Sequence, residues 1–250
     1  MTPTPELLTA PNLRARHGFS TRRGGSSKGP YGSFNLRHGL GDEHDAVERN
    51  IDLFLDAFGS SRDRLCVLKQ VHGGRAVEAR PGESQEADAH VSIDPDLLLV
   101  VGWADCLPLL LSDPDSGAVG AVHSGWRSTV AGIAGETLRL MNELYGTQPE
   151  RVRVALGPGI CGDCYEVGDE VAQAVTAAGA EIALRAGSRP GKWQLDIPRA
   201  TLHLLEKAGV DPDNVCYPGW CTSCEPGRFY SHRRDRGLTG RQWAGIRAQD

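Results

Sequence analysis

The chain carries no excess of basic residues, since 27 Lys and Arg stand against 32 Asp and Glu for a net charge of -5. That balance leaves no electrostatic footprint for nucleic acid or an anionic membrane surface, so the expected partners are small molecules or other subunits, with the oligomeric state open. Long apolar runs are also missing. The longest, Leu97 to Ala104, is interrupted by Asp105 and falls far short of the ~20 residues a membrane helix needs. Met1 to Ala10 includes Glu6 and lacks a basic start followed by an apolar stretch. It does not read as a signal peptide, and a soluble cytoplasmic protein is the expectation. No internal repeat, low-complexity tract or convincing linker divides the sequence, so a single unit over 1–250 is expected. Its 40% hydrophobic content suffices for one sizeable core. Seven cysteines is an odd count in a long chain without a secretory signal, which disfavours a disulfide framework and points to thiol or thiolate roles.

What is present has readable periodicity. Residues 20–35, rich in Gly, Ser and basic side chains, predict a loop. From Asp45, the residues Val47, Ile51, Phe54, Leu55 and Phe58 follow helical spacing and stop at Gly59, a C-cap. Leu65 to Leu68 and Arg75 to Ala79 read as short strands flanking a turn at His72-Gly73-Gly74. Leu97 to Leu111 is too continuously apolar for a one-sided strand, while Gly102 and Pro108 oppose an unbroken helix. Two buried strands around Ala104-Asp105-Cys106 are therefore expected. Ala118 to Val122 predicts another buried strand ending at His123. A helix should start near Ser128 as N-cap and carry Val130, Ile133, Ala134, Leu138, Met141 and Leu144 up to Gly146. Val152 to Leu156 predicts a strand, Gly157 to Gly162 a turn and Val167 to Ala178 a helix. Asp196 should cap a helix with Pro198 in its first turn and Gly209 past its end. The tail predicts strands near Val215 to Tyr217 and Phe229 to His232. Strands outnumber helices and are linked both by turns and by helices, so the expected class is α+β, a mixed, layered, sandwich-like β-sheet core with helices packed outside.

Three candidate ligands fall near strand ends: His72 in KQVHGG, Cys106 in ADCLP and His123 in GAVGAVH. A thiolate with two neutral imidazoles suits Zn2+ and leaves a fourth position for water or substrate. Spacing alone leaves open the possibility of a buried core thiol beside ordinary histidines.

The segments LKQVHG, ADCLPLLL, AVHSGWR, LGPGICGDCYEVG and FYSHRRD, in this order, resemble the YfiH family of laccase-domain proteins, and the match runs from about Gly18 to Thr239-Gly240-Arg241. The resemblance implies that His72, Cys106 and His123 are both the zinc ligands and the catalytic centre. It also implies purine nucleoside chemistry, namely phosphorolysis of adenosine, inosine and methylthioadenosine, and deamination of adenosine. Zinc suits deamination because it acidifies a bound water that can attack the purine ring. Phosphorolysis further needs phosphate held beside the sugar carbon. Arg22, Arg23, Arg127, Arg233 and Arg234 lie in or next to the matching motifs, with Arg127, four residues from His123, the foremost clamp. Each could instead be a solvated arginine or part of a structural ion pair.

Asn35 in SFNL and Asp105 beside Cys106 are expected to orient substrate or a ligand, or else to serve as turn residues. Asp42 and Asn50 share the matched region without an assigned role. Ile51 departs from the family pattern, where arginine commonly follows the asparagine, and this removes a basic substrate contact. Two CxxC pairs, Cys161 to Cys164 and Cys221 to Cys224, argue only weakly for a four-thiolate zinc site, because 56 residues separate them. Buried thiols are the default reading, and a redox motif lacks a proline-marked partner loop.

The family's older label is multicopper polyphenol oxidase, but the eight histidines form no HxH pair and the only methionines are Met1 and Met141. A multicopper cluster is thus disfavoured, although Cu2+ could replace zinc at a nitrogen and sulfur site and support weak oxidase activity. The family resemblance also admits an amidase that edits peptidoglycan precursors. The residues alone are compatible with a metal-free enzyme using Cys106 as nucleophile and His123 as base, or with a non-enzymatic protein that zinc merely stabilises.

Overall fold

The structure is a computed structural model that describes residues 4–249; Met1 to Pro3 and Asp250, the ends of the expected 1–250 unit, lie outside them. At the N-terminal side, β1 (Leu7–Leu8) pairs antiparallel with β2 (Arg16–Ser20). The glycine-rich stretch that follows is a loop with one short 3-10 turn, Gly29–Tyr31. In α1 (His44–Phe58) the predicted apolar face of Val47, Ile51, Phe54, Leu55 and Phe58 is buried, and Gly59 ends the helix at φ 58. In that left-handed conformation glycine avoids the penalty a Cβ would bring.

The strands β3 (Leu65–Val67) and β4 (Ala76–Glu78) form as expected but join different sheets. Next comes β5 (Ala89–Ser92), which sequence reading missed because all four residues are buried and show no alternation. The long apolar stretch divides into β6 (Leu98–Trp103) and β7 (Leu107–Ser112), and β8 (Val119–Ser124) extends past its expected end to include His123. The single helix expected from Ser128 is two, α2 (Trp126–Val130) and α3 (Ile133–Tyr145). Gly132 at φ 75 turns the chain between them, and Gly125 rather than Ser128 is the N-cap of α2. Leu144, expected on the apolar face, is 42% exposed.

After β9 (Arg153–Leu156), β10 (Glu166–Gly168) takes Val167 out of the expected helix, so that α4 (Asp169–Ala177) begins only after Gly168. The hairpin of β11 (Leu184–Ala186) and β12 (Lys192–Leu195) leads into α5 (Ile197–Lys207), where the Asp196 carboxylate accepts the Arg199 backbone N–H as predicted. The chain closes with β13 (Val215–Cys216) and β14 (Gln242–Arg247). Residues Phe229 to His232 form no strand.

Two mixed sheets result, with orders β1-β2-β14-β6-β3 and β13-β9-β7-β8-β5-β4, and one antiparallel sheet, β10-β12-β11. The pairs β3 with β6, β4 with β5 and β13 with β9 are parallel, and the others antiparallel. The two large sheets face one another across a core that includes Phe19, Leu99, Val101 and Ala244 from one and Leu110, Ala121 and Ala155 from the other. Because successive strand residues point to opposite faces, Leu109 and Leu111 turn outward onto Ile133, Leu138 and Met141 of α3. On the far side Leu98 and Val100 pack against Val47, Phe54 and Phe58 of α1. This helix, sheet, sheet, helix layering explains the uninterrupted apolar runs of β6 and β7, since both faces of each strand are covered. No helix among the described residues is long and apolar enough to cross a membrane.

One buried titratable group makes this core sensitive to acid. His90 on β5 lies opposite Ala121 on the inter-sheet face and is 1% exposed. Burial pushes its pKa down to about 3. In the unfolded chain it titrates near 6.5. As the pH falls from 7 to 5, the unfolded state takes up a proton that the folded state refuses, so this residue lowers stability by about 2 kcal/mol over that interval. Urea unfolding of a His90→Leu variant should therefore lose about 2 kcal/mol less than the wild type between pH 7 and pH 5. Equal losses would mean that the imidazole is protonated inside the fold.

Candidate active site

The connection from β6 to β7, Ala104-Asp105-Cys106, passes from one large sheet to the other. Asp105 makes the turn at φ 88, and its carboxylate accepts the Thr222 hydroxyl at 2.6 Å and the Arg233 backbone N–H at 2.6 Å. His72 also has positive φ, 58. Such conformations are costly for residues other than glycine and persist where the surroundings over-determine them. For His72 the surroundings are explicit. The Gln70 amide bonds both the N–H and the C=O of Gly102 at 2.8 Å, which ties the QVHG loop to β6.

The Asp88 carboxylate, fully buried, accepts the backbone N–H groups of Val71, His72 and Gly73 at 3.2, 3.0 and 2.6 Å. Its fourth partner is His123 Nδ1 at 2.9 Å. Burial opposes ionisation of Asp88, but His123 and these N–H groups outweigh it and hold the carboxyl below its ordinary range. An ionised carboxylate only accepts, so Nδ1 of His123 carries a proton and Nε2 is the atom free to face a ligand.

The ligand atoms of His72, Cys106 and His123 lie within 4.8 Å of one another, and the two imidazole rings meet edge to face with centroids 4.8 Å apart. Exposure grades outward from His123, 3% exposed, through half-buried Cys106 to exposed His72. Burial pushes the Cys106 thiol up, yet the His123 and His72 imidazoles outweigh it and bring it down to about 6. Burial likewise opposes charging of His123, which Cys106 and Asp88 overcome to raise it to about 9. Each group thus favours the charged form of the other, thiolate beside imidazolium. A dication can replace the Nε2 proton while Nδ1 stays on Asp88, which is how metal sites release protons on loading. The donor set and spacing fit zinc, since N and S ligands at about 2.0 and 2.3 Å from a tetrahedral ion stand roughly 3.5 Å apart. No fourth His, Cys or carboxylate joins this trio among the described residues.

The trio opens on a cavity of about 390 Å³, within the range of small-molecule sites. Arg37, Arg233 and Arg241 line it together with Tyr165 and Trp103. The Arg233 guanidinium lies 4.6 Å from the Tyr165 ring centroid and donates to the Glu166 carbonyl at 2.9 Å. Burial, and then the charge of Arg37, pull the Arg241 pKa down. Sequence reading gave a role to neither Arg37 nor Arg241.

The remaining sequence candidates take other places. Asn35 is fully buried and does not line the cavity; its Oδ1 accepts the backbone N–H groups of Arg37 at 3.2 Å and Arg241 at 2.9 Å. It therefore positions the two arginines that were missed, while Asp42 accepts its amide at 2.9 Å. Asn50 bonds Ser27, Ser33 and Asn35 and so shapes the same loop. Arg127 is exposed on α2, with its guanidinium 4.3 Å over the Trp126 ring, and is not among the cavity-lining residues. Arg22 and Arg23 donate to the carbonyls of Pro226 and Gly227, and Arg234 to that of Thr222. Ile51 is buried on α1 among Phe34, Val47 and Phe54.

Both CxxC pairs come together in a four-cysteine cluster, a second candidate metal site, with Cys161 and Cys164 half-buried, Cys221 buried and Cys224 exposed. The default reading as separate buried thiols fails here. Parallel pairing of β13 with β9 brings the segments after the two strands side by side, down to a bridge between Gly159 and Cys221.

A layered α+β protein with a histidine-cysteine-histidine trio at the mouth of a small-molecule cavity is the class these features define. The chain belongs to the family described as multi-copper polyphenol oxidoreductase laccase, whose pattern matches residues 16–249. It is similar to the purine nucleoside phosphorylase of Deinococcus radiodurans, at 45% identity over 241 residues that cover 96% of this chain and 92% of that one. The crystal structure of YlmD from Geobacillus stearothermophilus superposes with a TM-score of 0.91 at 32% identity, covering 96% of this chain and 94% of that one. The Bacillus licheniformis hypothetical protein YfiH gives 0.92 at 29% identity, covering 99% and 97%. The family resemblance and the α+β class expected from sequence are both borne out. The multicopper cluster of the family description finds too few donors. Among the described residues the histidine-bearing clusters are the trio and His38-His44-Glu48, too few imidazoles for an oxygen-reducing copper cluster.

Proposed function

We propose that the protein is a purine nucleoside phosphorylase acting on adenosine, inosine and methylthioadenosine, with a zinc-assisted adenosine deaminase activity at the same site. The observation that carries this reading is the convergence of two imidazoles and one thiol on a cavity that also presents three arginines. Names of curated relatives support phosphorolysis. Arg37, Arg233 and Arg241 hold inorganic phosphate through charge-assisted hydrogen bonds beside the sugar carbon. They raise the local phosphate concentration and orient one oxygen for attack as the bond from that carbon to the purine nitrogen breaks. Tyr165, whose phenol burial pushes up to about 12, stays protonated near neutrality and offers a neutral donor to the departing base. His72, Cys106 and His123 would hold zinc. When bound, the ion supplies Lewis acidity and makes a water acidic enough for deamination near neutral pH.

Incubation with adenosine, with and without phosphate, followed by chromatography tests the reading. Adenine with ribose 1-phosphate should appear only when phosphate is present, and inosine in either case. Absence of both products, with cleavage of a UDP-linked muramoyl amino acid instead, would replace this function by precursor editing.

The trio tolerates no added bulk at Gly125. A Cβ there would lie 2.9 Å from Cys106 Sγ and 3.2 Å from His72 Cδ2. Overpacking of this kind costs about 1–3 kcal/mol, so Gly125→Ala should weaken zinc binding by about 5- to 150-fold. Competition against a metal-indicator dye measures it. An unchanged affinity would show that Cys106 and His72 do not share an ion.

A further inference from the structure

The cysteines outside the cavity carry a separate inference, independent of the reaction assigned above. We propose that Cys161, Cys164, Cys221 and Cys224 bind a structural Zn2+ as a tetrathiolate, and that this ion staples the cavity wall beside Cys106. All four sulfurs lie within 4.8 Å of one another, with Cys164 and Cys161 Sγ at 3.4 and 3.9 Å from Cys224 Sγ. Four sulfurs about 2.3 Å from a tetrahedral ion stand ~3.8 Å apart, whereas a disulfide needs about 2.05 Å. Cys224 approaches two partners rather than one, a sharing that a metal satisfies and a disulfide cannot.

The backbone agrees with the side chains. The N–H groups of Cys161 and Cys224 point at Cys221 Sγ, at 3.3 and 3.4 Å, and such donors stabilise negative charge on a thiolate ligand. Four sulfurs close the coordination sphere and leave no position for a substrate, the mark of a structural rather than a catalytic ion. A tetrahedral all-sulfur set selects zinc or iron, and the mononuclear size of the cluster leaves no room for bridging sulfides.

The staple reaches the active site through named contacts. Thr222, between Cys221 and Cys224, donates to Asp105 at 2.6 Å, and Asp105 immediately precedes Cys106. The backbone N–H of Ile160, next to Cys161, donates to the Asp105 carbonyl at 2.9 Å. Tyr165, next to Cys164, lines the cavity. Two loops from distant parts of the chain thus meet at Asp105, with the four cysteines behind them.

Zinc analysis and zinc-edge X-ray absorption of a Cys106→Ala variant, purified without added metal, isolate this site. The expected result is one zinc per chain with four sulfurs at about 2.3 Å and no nitrogen. An organomercurial titrated into the same protein should release that zinc as four thiols react. Absence of metal, iron in place of zinc, nitrogen ligands, or disulfides linking these cysteines in the unreduced protein would each overturn the assignment. Cys224→Ser, at the exposed corner, should remove one equivalent of zinc from the wild-type content. If that variant does not accumulate, the absorption spectrum of Cys106→Ala decides alone.

Discussion

Replacing Cys106 by alanine is expected to remove one equivalent of bound metal and to lower adenosine deamination by more than about 10²-fold. The size follows from comparison with weaker lesions. Loss of a group that merely orients a metal ligand costs roughly 10–100-fold in affinity or activity, and Cys106 is the one anionic donor between two imidazoles. Without it, two neutral nitrogens remain, one of them on exposed His72. The proposed tetrathiolate should be untouched, so the metal content falls by one equivalent rather than to nothing. Metal analysis alongside kinetics separates the competing chemistries. If activity disappears while the metal content stays the same, Cys106 acts as a nucleophile with His123 as its base. If neither changes, the trio is not the reacting centre.

Which parts of this architecture the sequence displayed depends on how much of each element is covered. Strands β6 and β7 were legible because burial on both faces makes an unbroken apolar run, and Asp105 and Cys106 mark the break between them. Helix α1 was legible from its apolar face and its end at Gly59, and α5 from the Asp196 cap that opens it, Pro198 in its first turn and Gly209 beyond its end. By contrast β5, with the sequence Ala-His-Val-Ser, and β14, which contains Gly245, are too short or too mixed to show a period. The helix after His123 was misread as continuous because its apolar spacing carries across Gly132, and only the left-handed φ there reveals the break.

The trio itself stood out through its motifs. Its supports did not. Asp88 lies 16 residues from His72 and 35 from His123, and no spacing rule links a carboxylate before a short strand to a histidine on its neighbour. Arg37 and Arg241 meet only because Asn35 Oδ1 receives both backbone N–H groups, across 206 residues in one case. The cysteine pairs, set aside for their separation, needed the parallel pairing of β9 and β13 to be seen as one group. Long-range sheet topology is the common element in these omissions, and it has no local signature.

Asp88→Asn should expose how much of the site rests on that hidden carboxylate. In the wild type, Oδ1 accepts from His72 N and His123 Nδ1, while Oδ2 accepts from Val71 N and Gly73 N. An amide of the same shape has only one accepting atom, and its NH2 must face two donors whichever way it is turned. With the amide nitrogen toward Gly73, the His72 loop loses two part-buried hydrogen bonds, at a cost of up to about 1–3 kcal/mol for each group left unsatisfied. With it toward His123, the amide donates to Nδ1 and drives the imidazole proton onto Nε2, the atom that must be free to bind the metal. Either orientation weakens the trio, and the expected loss is about 10–100-fold in zinc affinity. Turnover measured across a zinc titration distinguishes positioning from simple destabilisation. Recovery of most activity at saturating zinc is expected if Asp88 acts through His123, whereas wild-type affinity in the variant would show that His123 needs no such partner.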